Sequence, residues 1–412
     1  MEKQLKPAIR FKGFTDPWEQ RKLGELVQFS KGAGYSKGDL KESGTPIILY
    51  GRLYTKYETV IADVDTFADA KNGSVYSRGG EVIVPASGET AEDISIASVV
   101  EKQGILLGGD LNIITPPADL DSAFLAISIS NGKPHEDMSK MAQGKSVVHL
   151  HNTDLEKIDM TYPSHEEQTQ ISDLFRRIDN LITLHQRKYD KLQVIKKAML
   201  EKMFPQNGSN VPEIRFRGFT DPWELRKFSD LAETRRGLTY NPSSISDSGI
   251  RVLRSSNIAE DQFIYGEDDV FVEPDAVNIP KVTQGDILIT SANGSTRLIG
   301  KHAIIRDIPN NSAVHGGFML LAVARNPEFV NALMSAPWYT KFISLYVAGG
   351  NGAIGNLNKS DLDDQDVYVP ENTEQMVIGQ YFSQLDHLIT LHQRELEKLQ
   401  KIKKAMLEKM FV

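Results

Sequence analysis

The sequence predicts an α+β fold: two strand-rich mixed α/β domains plus two long helices forming an antiparallel coiled coil, with the two halves related by an internal pseudo-two-fold repeat. Three observations carry this. PAIRFKGFTDPWEQRKLGEL at Pro7–Leu26 returns as PEIRFRGFTDPWELRKFSDL at Pro212–Leu231, an offset of 205 residues. The segment Glu166–Phe204 returns at Thr373–Phe411 at an offset of 207, with LITLHQR and IKKAMLEKMF identical in both copies. Between these repeated ends, short apolar or β-branched runs alternate with Gly, Asn and Asp turns, the mark of strands.

Residues 1–163 form the first domain. GFTDPWE opens it as an ordered turn, Asp-Pro shaping the chain while Trp18 packs on a neighbour. TPIILY, GEVIVPA, GILLG and LNIIT follow as strands. Residues 164–204 read as one amphipathic helix, because Ile171, Leu174, Phe175, Ile178, Leu181, Ile182, Leu192, Ile195, Met199 and Met203 recur at steps of three and four. At about 1.5 Å per residue it is roughly 58 Å long, too long to be stable without a partner along its length.

Residues 205–211 are a linker within the Pro/Gly/Asn break PQNGSNVP, which spans at most about 27 Å and cannot return to the start of the preceding helix. The second domain, 212–370, repeats the plan with IRVLR, GDILIT, HAIIR and GFMLLAV as strands and a helix over Pro327–Tyr339. Residues 371–412 form the second long helix, with Ile378, Phe382, Leu385, Leu388, Ile389, Leu396, Leu399, Ile402, Met406 and Met410 on its stripe. If the second half repeats the first, its helix runs back along the first. A linear arrangement would leave both apolar stripes exposed.

Composition narrows the function. The chain of 412 residues is 40 % hydrophobic and 25 % charged, within the globular range, and long enough for two or three domains. It has no cysteine, so disulfides, thiolate nucleophiles and Cys-ligated metals are excluded. No apolar run indicates a signal peptide or membrane span, and a cytoplasmic location is expected. The net charge of -8 argues against coating nucleic acid through bulk positive charge but leaves room for a local basic face.

No catalytic set stands out. Asp-Pro-Trp resembles a clipped form of the Asp-Pro-Pro-Trp loop of amino-methyltransferases, but the second proline is missing, and IRFKGF and IRFRGF are short and basic rather than an apolar strand. KGAGYSKG at Lys31–Gly38 fits neither the dinucleotide-binding nor the P-loop pattern. His149 and His151 are spaced as metal ligands could be, but the second half has no such pair, so a structural role is expected and no metal. Asp268, Asp269 and DLDDQD at Asp361–Asp366 read as solvated surface. His185 and His392, each near the middle of its helix beside the apolar stripe, read as helix-pairing residues that fix register rather than as catalysts.

A duplicated unit made of a variable globular domain and a nearly identical long helix resembles the specificity subunit of Type I restriction-modification systems, over essentially the whole chain. The resemblance rests on WEQRKLGEL and WELRKFSDL, on GEVIV and GDILI, and on YPSHEEQTQI and VPENTEQMVI, similar to that family's Pro-x-x-x-Glu-Gln approach to its long helix. It implies a non-catalytic subunit whose two target-recognition domains each read one half of an asymmetric bipartite site in double-stranded DNA. The helices would act as spacer and dock two modification (methyltransferase) subunits. S-adenosylmethionine, ATP and Mg2+ would be used by those modification subunits and by restriction/translocase subunits, not by this chain.

Base edges are read by polar side chains and aromatics on loops that differ between the halves. In the first domain these are Tyr50, Arg52, Tyr54, Lys56, Ser87, Glu89, Thr90, Lys145 and Ser146. In the second they are Arg254, Ser255, Asn257, Asn293, Ser295, Thr296, Arg297, Asn351 and Asn356. Two other readings stay open at this stage: a stand-alone enzyme, and a coiled-coil adaptor or ligand-binding scaffold with no DNA role.

Overall fold

A computed structural model describes residues 5–142, 148–206, 208–266, 268–347 and 355–411. The chain forms two compact units, residues 1–186 with 394–412, and residues 187–393. The long helices span His165–Lys202 and Asn372–Met410, so each contributes one half to either unit.

In the first unit a five-stranded sheet places Glu81–Pro85 at its centre, between Leu111–Thr115 and Ser98–Val100, with Gln28–Lys31 and Val60–Ile61 at the edges. All five residues of the central strand are buried, which explains why GEVIV reads as a continuous apolar run rather than an alternating one. A four-stranded sheet runs Leu106–Leu107, Thr45–Ile48, Phe67–Ala68, Leu40–Lys41, its first pair parallel. The second unit repeats the scheme. Ile287–Thr290 pairs antiparallel with Met319–Ala324 and His302–Ile304, and Ile250–Leu253 pairs parallel with Ala313–His315.

Each unit's core is completed by the end of a long helix. In the first, Phe411 lies 6.2 Å from Trp18, 5.8 Å from Phe124 and 6.1 Å from Phe175, ring to ring. In the second, Phe204 lies 5.9 Å from Trp223, 6.1 Å from Phe329 and 5.9 Å from Phe382. The two helix halves in each unit run antiparallel. In the first unit Ile171 and Phe175 share a cluster with Met410, while Asp179, further along, pairs with Lys403 at 2.5 Å. In the second, Asp386 pairs with Lys196 at 2.8 Å. These are one ion pair seen twice, since Asp179 corresponds to Asp386 and Lys196 to Lys403 in the repeat.

Two expectations need correction. The helix over Pro327–Tyr339 is two helices, Pro327–Ser335 and Pro337–Tyr346, broken at Ala336 because Pro337 pushes the preceding residue out of helical geometry (ψ 160°). Asp269 is not solvated surface: its side chain is 3 % exposed, paired with Arg251 and accepting from Asn257 at 2.8 Å. Within DLDDQD, Asp363 accepts from Thr234 and Lys359.

Candidate nucleic-acid interface

The repeated motifs hold the frame. Glu167 is fully buried and takes both nitrogens of a fork from Arg10, at 2.6 and 2.7 Å; Glu374, equally buried, takes the same fork from Arg215 at 2.7 Å twice. Those arginines belong to the opening segments, so the Glu of Pro-x-x-x-Glu-Gln ties the start of each domain to the start of its long helix. The following glutamine turns back: Gln168 and Gln375 each donate to the carbonyl of the motif's proline, at 2.9 Å. The opening strands Glu19–Lys22 and Glu224–Lys227 pair antiparallel with Asp159–Tyr162 and Asp366–Val369, the strands that lead into the helices. Trp18 and Trp223 are 3 % and 2 % exposed, inside this frame.

Variation sits at the ends of the central strands. In the first domain the Tyr50 and Tyr54 rings lie 6.3 Å apart, and burial first, then Tyr50 and the carboxylates of Glu89 and Asp93, raise the Tyr54 phenol above its usual range. Ser87 is buried and hydrogen-bonds His149 Nδ1 at 3.0 Å; the His149 and His151 rings stack at 6.4 Å. Thr90 accepts from the Asp93 backbone N–H at 3.1 Å and so caps the helix Ala91–Ile94. Glu89 is exposed, and exposed Lys56 pairs with Asp65 at 2.8 Å. Arg52 turns inward: its side chain is 8 % exposed and donates to Glu58 at 2.7 Å and to the Asp63 carbonyl at 2.9 Å.

In the second domain a cavity of about 700 Å³ opens beside Arg254, Ser255 and Asn293. Asn293 donates to Ser255 Oγ at 3.0 Å and accepts from the Ser295 backbone at 2.9 Å. Ser295, Thr296 and Arg297 are exposed on the adjoining turn, and Asn356 is exposed on the strand Gly355–Asn356 that pairs with Ala292–Asn293. Asn257 is fully buried; its amide oxygen accepts from the Arg254 backbone at 2.8 Å and its nitrogen donates to the Ile264 carbonyl at 3.1 Å and to Asp269. Lys145, Ser146 and Asn351 lie outside the described residues. His185, in the first unit, and His392, in the second, are each half-buried on their helices.

The model of the Type I restriction modification DNA specificity domain matches this chain twice, at residues 15–194 and 220–401. The chain belongs to that family. The MjaVIII specificity subunit of Methanocaldococcus jannaschii, a Type I restriction enzyme component, is 22 % identical over 95 % of this chain and 91 % of its own length. The EcoKI specificity subunit of Escherichia coli is 21 % identical over 68 % of this chain and 61 % of its own. The crystal structure of the S subunit of a Type I restriction-modification system from M. genitalium has the same fold, with a TM-score of 0.63, 15 % identity and 99 % of each chain covered.

As a specificity-family chain with two such domains, it offers an internal comparison. The bonding frame and the repeat align Tyr50 with Ser255, Leu49 with Arg254, Gly88 with Asn293, and His149 with Asn356. The same backbone positions therefore present different hydrogen-bonding chemistry. Arg52 and Asn257 also align, and both are committed internally: polarity marked them in the sequence, but their partners, Glu58 and Asp269, could only be found in three dimensions. Among the described residues, no group of three or more His, Asp or Glu is placed to hold a metal, and no helix is long and apolar enough to cross a membrane.

Proposed function

We propose that this chain is the DNA-reading subunit of a Type I restriction-modification complex, each domain reading one half of an asymmetric, bipartite site in double-stranded DNA. The observation that carries this is the pairing of one frame with two sets of side chains, Tyr50 and His149 in one domain standing where Ser255 and Asn356 stand in the other, and Gly88 where Asn293 stands. A repeated scaffold fixes where a side chain stands, and the side chain decides which base edge it matches. The readers are Tyr50, Tyr54, Lys56, Ser87, Glu89 and Thr90 in the first domain, and Arg254, Ser255, Asn293, Ser295, Thr296, Arg297 and Asn356 in the second.

The long helices set the gap between half-sites and dock two modification subunits, with His185 and His392 fixing their register. Identical leucines support this: Leu181 and Leu184 are 44 % and 46 % exposed on the first helix, and their counterparts Leu388 and Leu391 40 % and 45 % on the second. Two like surfaces suit two copies of one partner. Methyl transfer from S-adenosylmethionine and ATP- and Mg2+-dependent restriction then belong to the partners, and the assembly works in the cytoplasm. Methylome sequencing of cells with and without the chain tests the reading. Removing the chain should abolish one bipartite methylation motif, and seven residues inserted in both long helices, at Gln186 and at Gln393, should change the gap while leaving both half-sites. Altered half-sites with an unchanged gap would refute the spacer role.

A further inference from the structure

Phe318 has no explanation in the frame. It is the most exposed of the large apolar side chains described, at 70 %, and it stands on the rim of the cavity that Ser255 and Asn293 line. Its place is fixed by its backbone: the Phe318 carbonyl accepts from Ser291 N–H at 2.9 Å and from Ala292 N–H at 3.1 Å, and the chain turns there because Met319 N–H reaches the Gly316 carbonyl at 2.8 Å. Gly316 admits no side chain without pressing on Val252 and the Leu253 carbonyl, 3.1 and 3.3 Å from where a Cβ would lie. The Gly-Gly turn thus presents the next residue outward.

The first domain has a Gly-Gly pair at the same place in the repeat, Gly108-Gly109-Asp110, and the Asp110 carbonyl accepts from Ala86 N–H at 2.8 Å, as Phe318 does from Ser291, although the two turns differ in backbone conformation. Asp110 is exposed, with φ 59°, a conformation aspartate tolerates. One backbone position therefore carries a carboxylate in one domain and a phenyl ring in the other. In the major groove a carboxylate suits the cytosine amino group, while a phenyl ring can match only the one apolar feature of a base edge, the thymine 5-methyl group.

We infer that Phe318 is a specificity-determining residue that reads a thymine methyl group in the half-site of the second domain. This rests on the DNA-reading function proposed above. An exposed phenyl ring is kept at the cavity rim, next to polar readers, because its apolar surface is covered only when DNA is bound.

The test uses the full-length chain in complex with its modification subunits and a duplex carrying its methylated site. Every thymine of both half-sites is replaced in turn by deoxyuridine, which lacks only the methyl group, and binding is measured for the native complex and for Phe318→Ala. One thymine should show roughly fourfold weaker binding as uridine, the worth of one buried methyl carbon. In Phe318→Ala that difference should vanish, while other uridine effects remain and report an intact complex. Phe318→Leu should keep part of it. The assignment is overturned if no thymine loses its methyl dependence in Phe318→Ala. It is equally overturned if Phe318→Ala weakens binding to every duplex alike, the behaviour of a ring wedged between bases. A complex that recognises no bipartite site at all would instead refute the DNA-reading function.

Discussion

Replacing Phe411 by alanine should loosen the first unit, nearly the whole chain away in sequence, and leave the second intact. Phe411 fills the space between Trp18, Phe124 and Phe175, with ring centroids 5.8 to 6.2 Å away. Truncating a fully buried phenylalanine costs about 3–5 kcal/mol, and aromatic pairs of this geometry add about 0.5–1.5 kcal/mol each. Phe411 is only half-buried, so the lower end applies, about 3 kcal/mol. Hydrogen exchange read by mass spectrometry resolves the effect by segment. Exchange in Glu81–Pro85, Leu111–Thr115 and Ser122–Ile129 should accelerate by roughly two orders of magnitude, while Ile287–Thr290 and Met319–Ala324 keep their protection. Phe204→Ala, at a position 3 % exposed, should give the mirror result at about 4 kcal/mol. Faster exchange of the second unit in Phe411→Ala, or no change anywhere, would refute the assignment of this helix end to the first core.

Arg215→Met should destabilise the second unit by about 3–5 kcal/mol, because it leaves the fully buried Glu374 carboxylate without its partner; Glu374→Gln, which removes the charge as well, should cost less, and thermal denaturation ranks the two. The second unit should also lose stability in acid. Burial lowers the His315 pKa from 6.5 to about 4, so below pH 6.5 the unfolded chain takes up a proton that the folded chain refuses. Its contribution is constant above pH 6.5 and falls away between there and about pH 4, roughly 3 kcal/mol at its fullest. His302, also buried, adds in the same direction. Chemical denaturation between pH 7 and 4.5 should show a shallower slope for His315→Gln, and an unchanged slope would exclude His315 as its source.

The long helices were legible because their apolar residues keep one period for nearly forty positions, and no strand pattern imitates that. The repeat made the second half a check on the first, so GEVIV and GDILI could both be placed as strands. The pairing of Glu19–Lys22 with Asp159–Tyr162 was hidden: its opening strand is exposed throughout, and its partner lies well over a hundred residues away. At the candidate interface the sequence supplied residue types but not commitments. Arg52 is as polar as Arg297, yet the first is tied to Glu58 and the second stands exposed. Phe318 went unnoticed because GFMLLAV reads as buried strand throughout, whereas the strand begins only at Met319.

The first unit combines residues 1–186 with 394–412, while the second is continuous from Arg187 to Gln393. As the polypeptide leaves the ribosome, the second unit is therefore the first to have all its residues. The first unit must wait, with Trp18 and Phe175 uncovered by Phe411, until residues 394–412 have been made. Domains usually mature in the order of their synthesis. Here that order is reversed, and a nascent chain stalled just after residue 393 would hold one finished unit and one still open to aggregation or to chaperones.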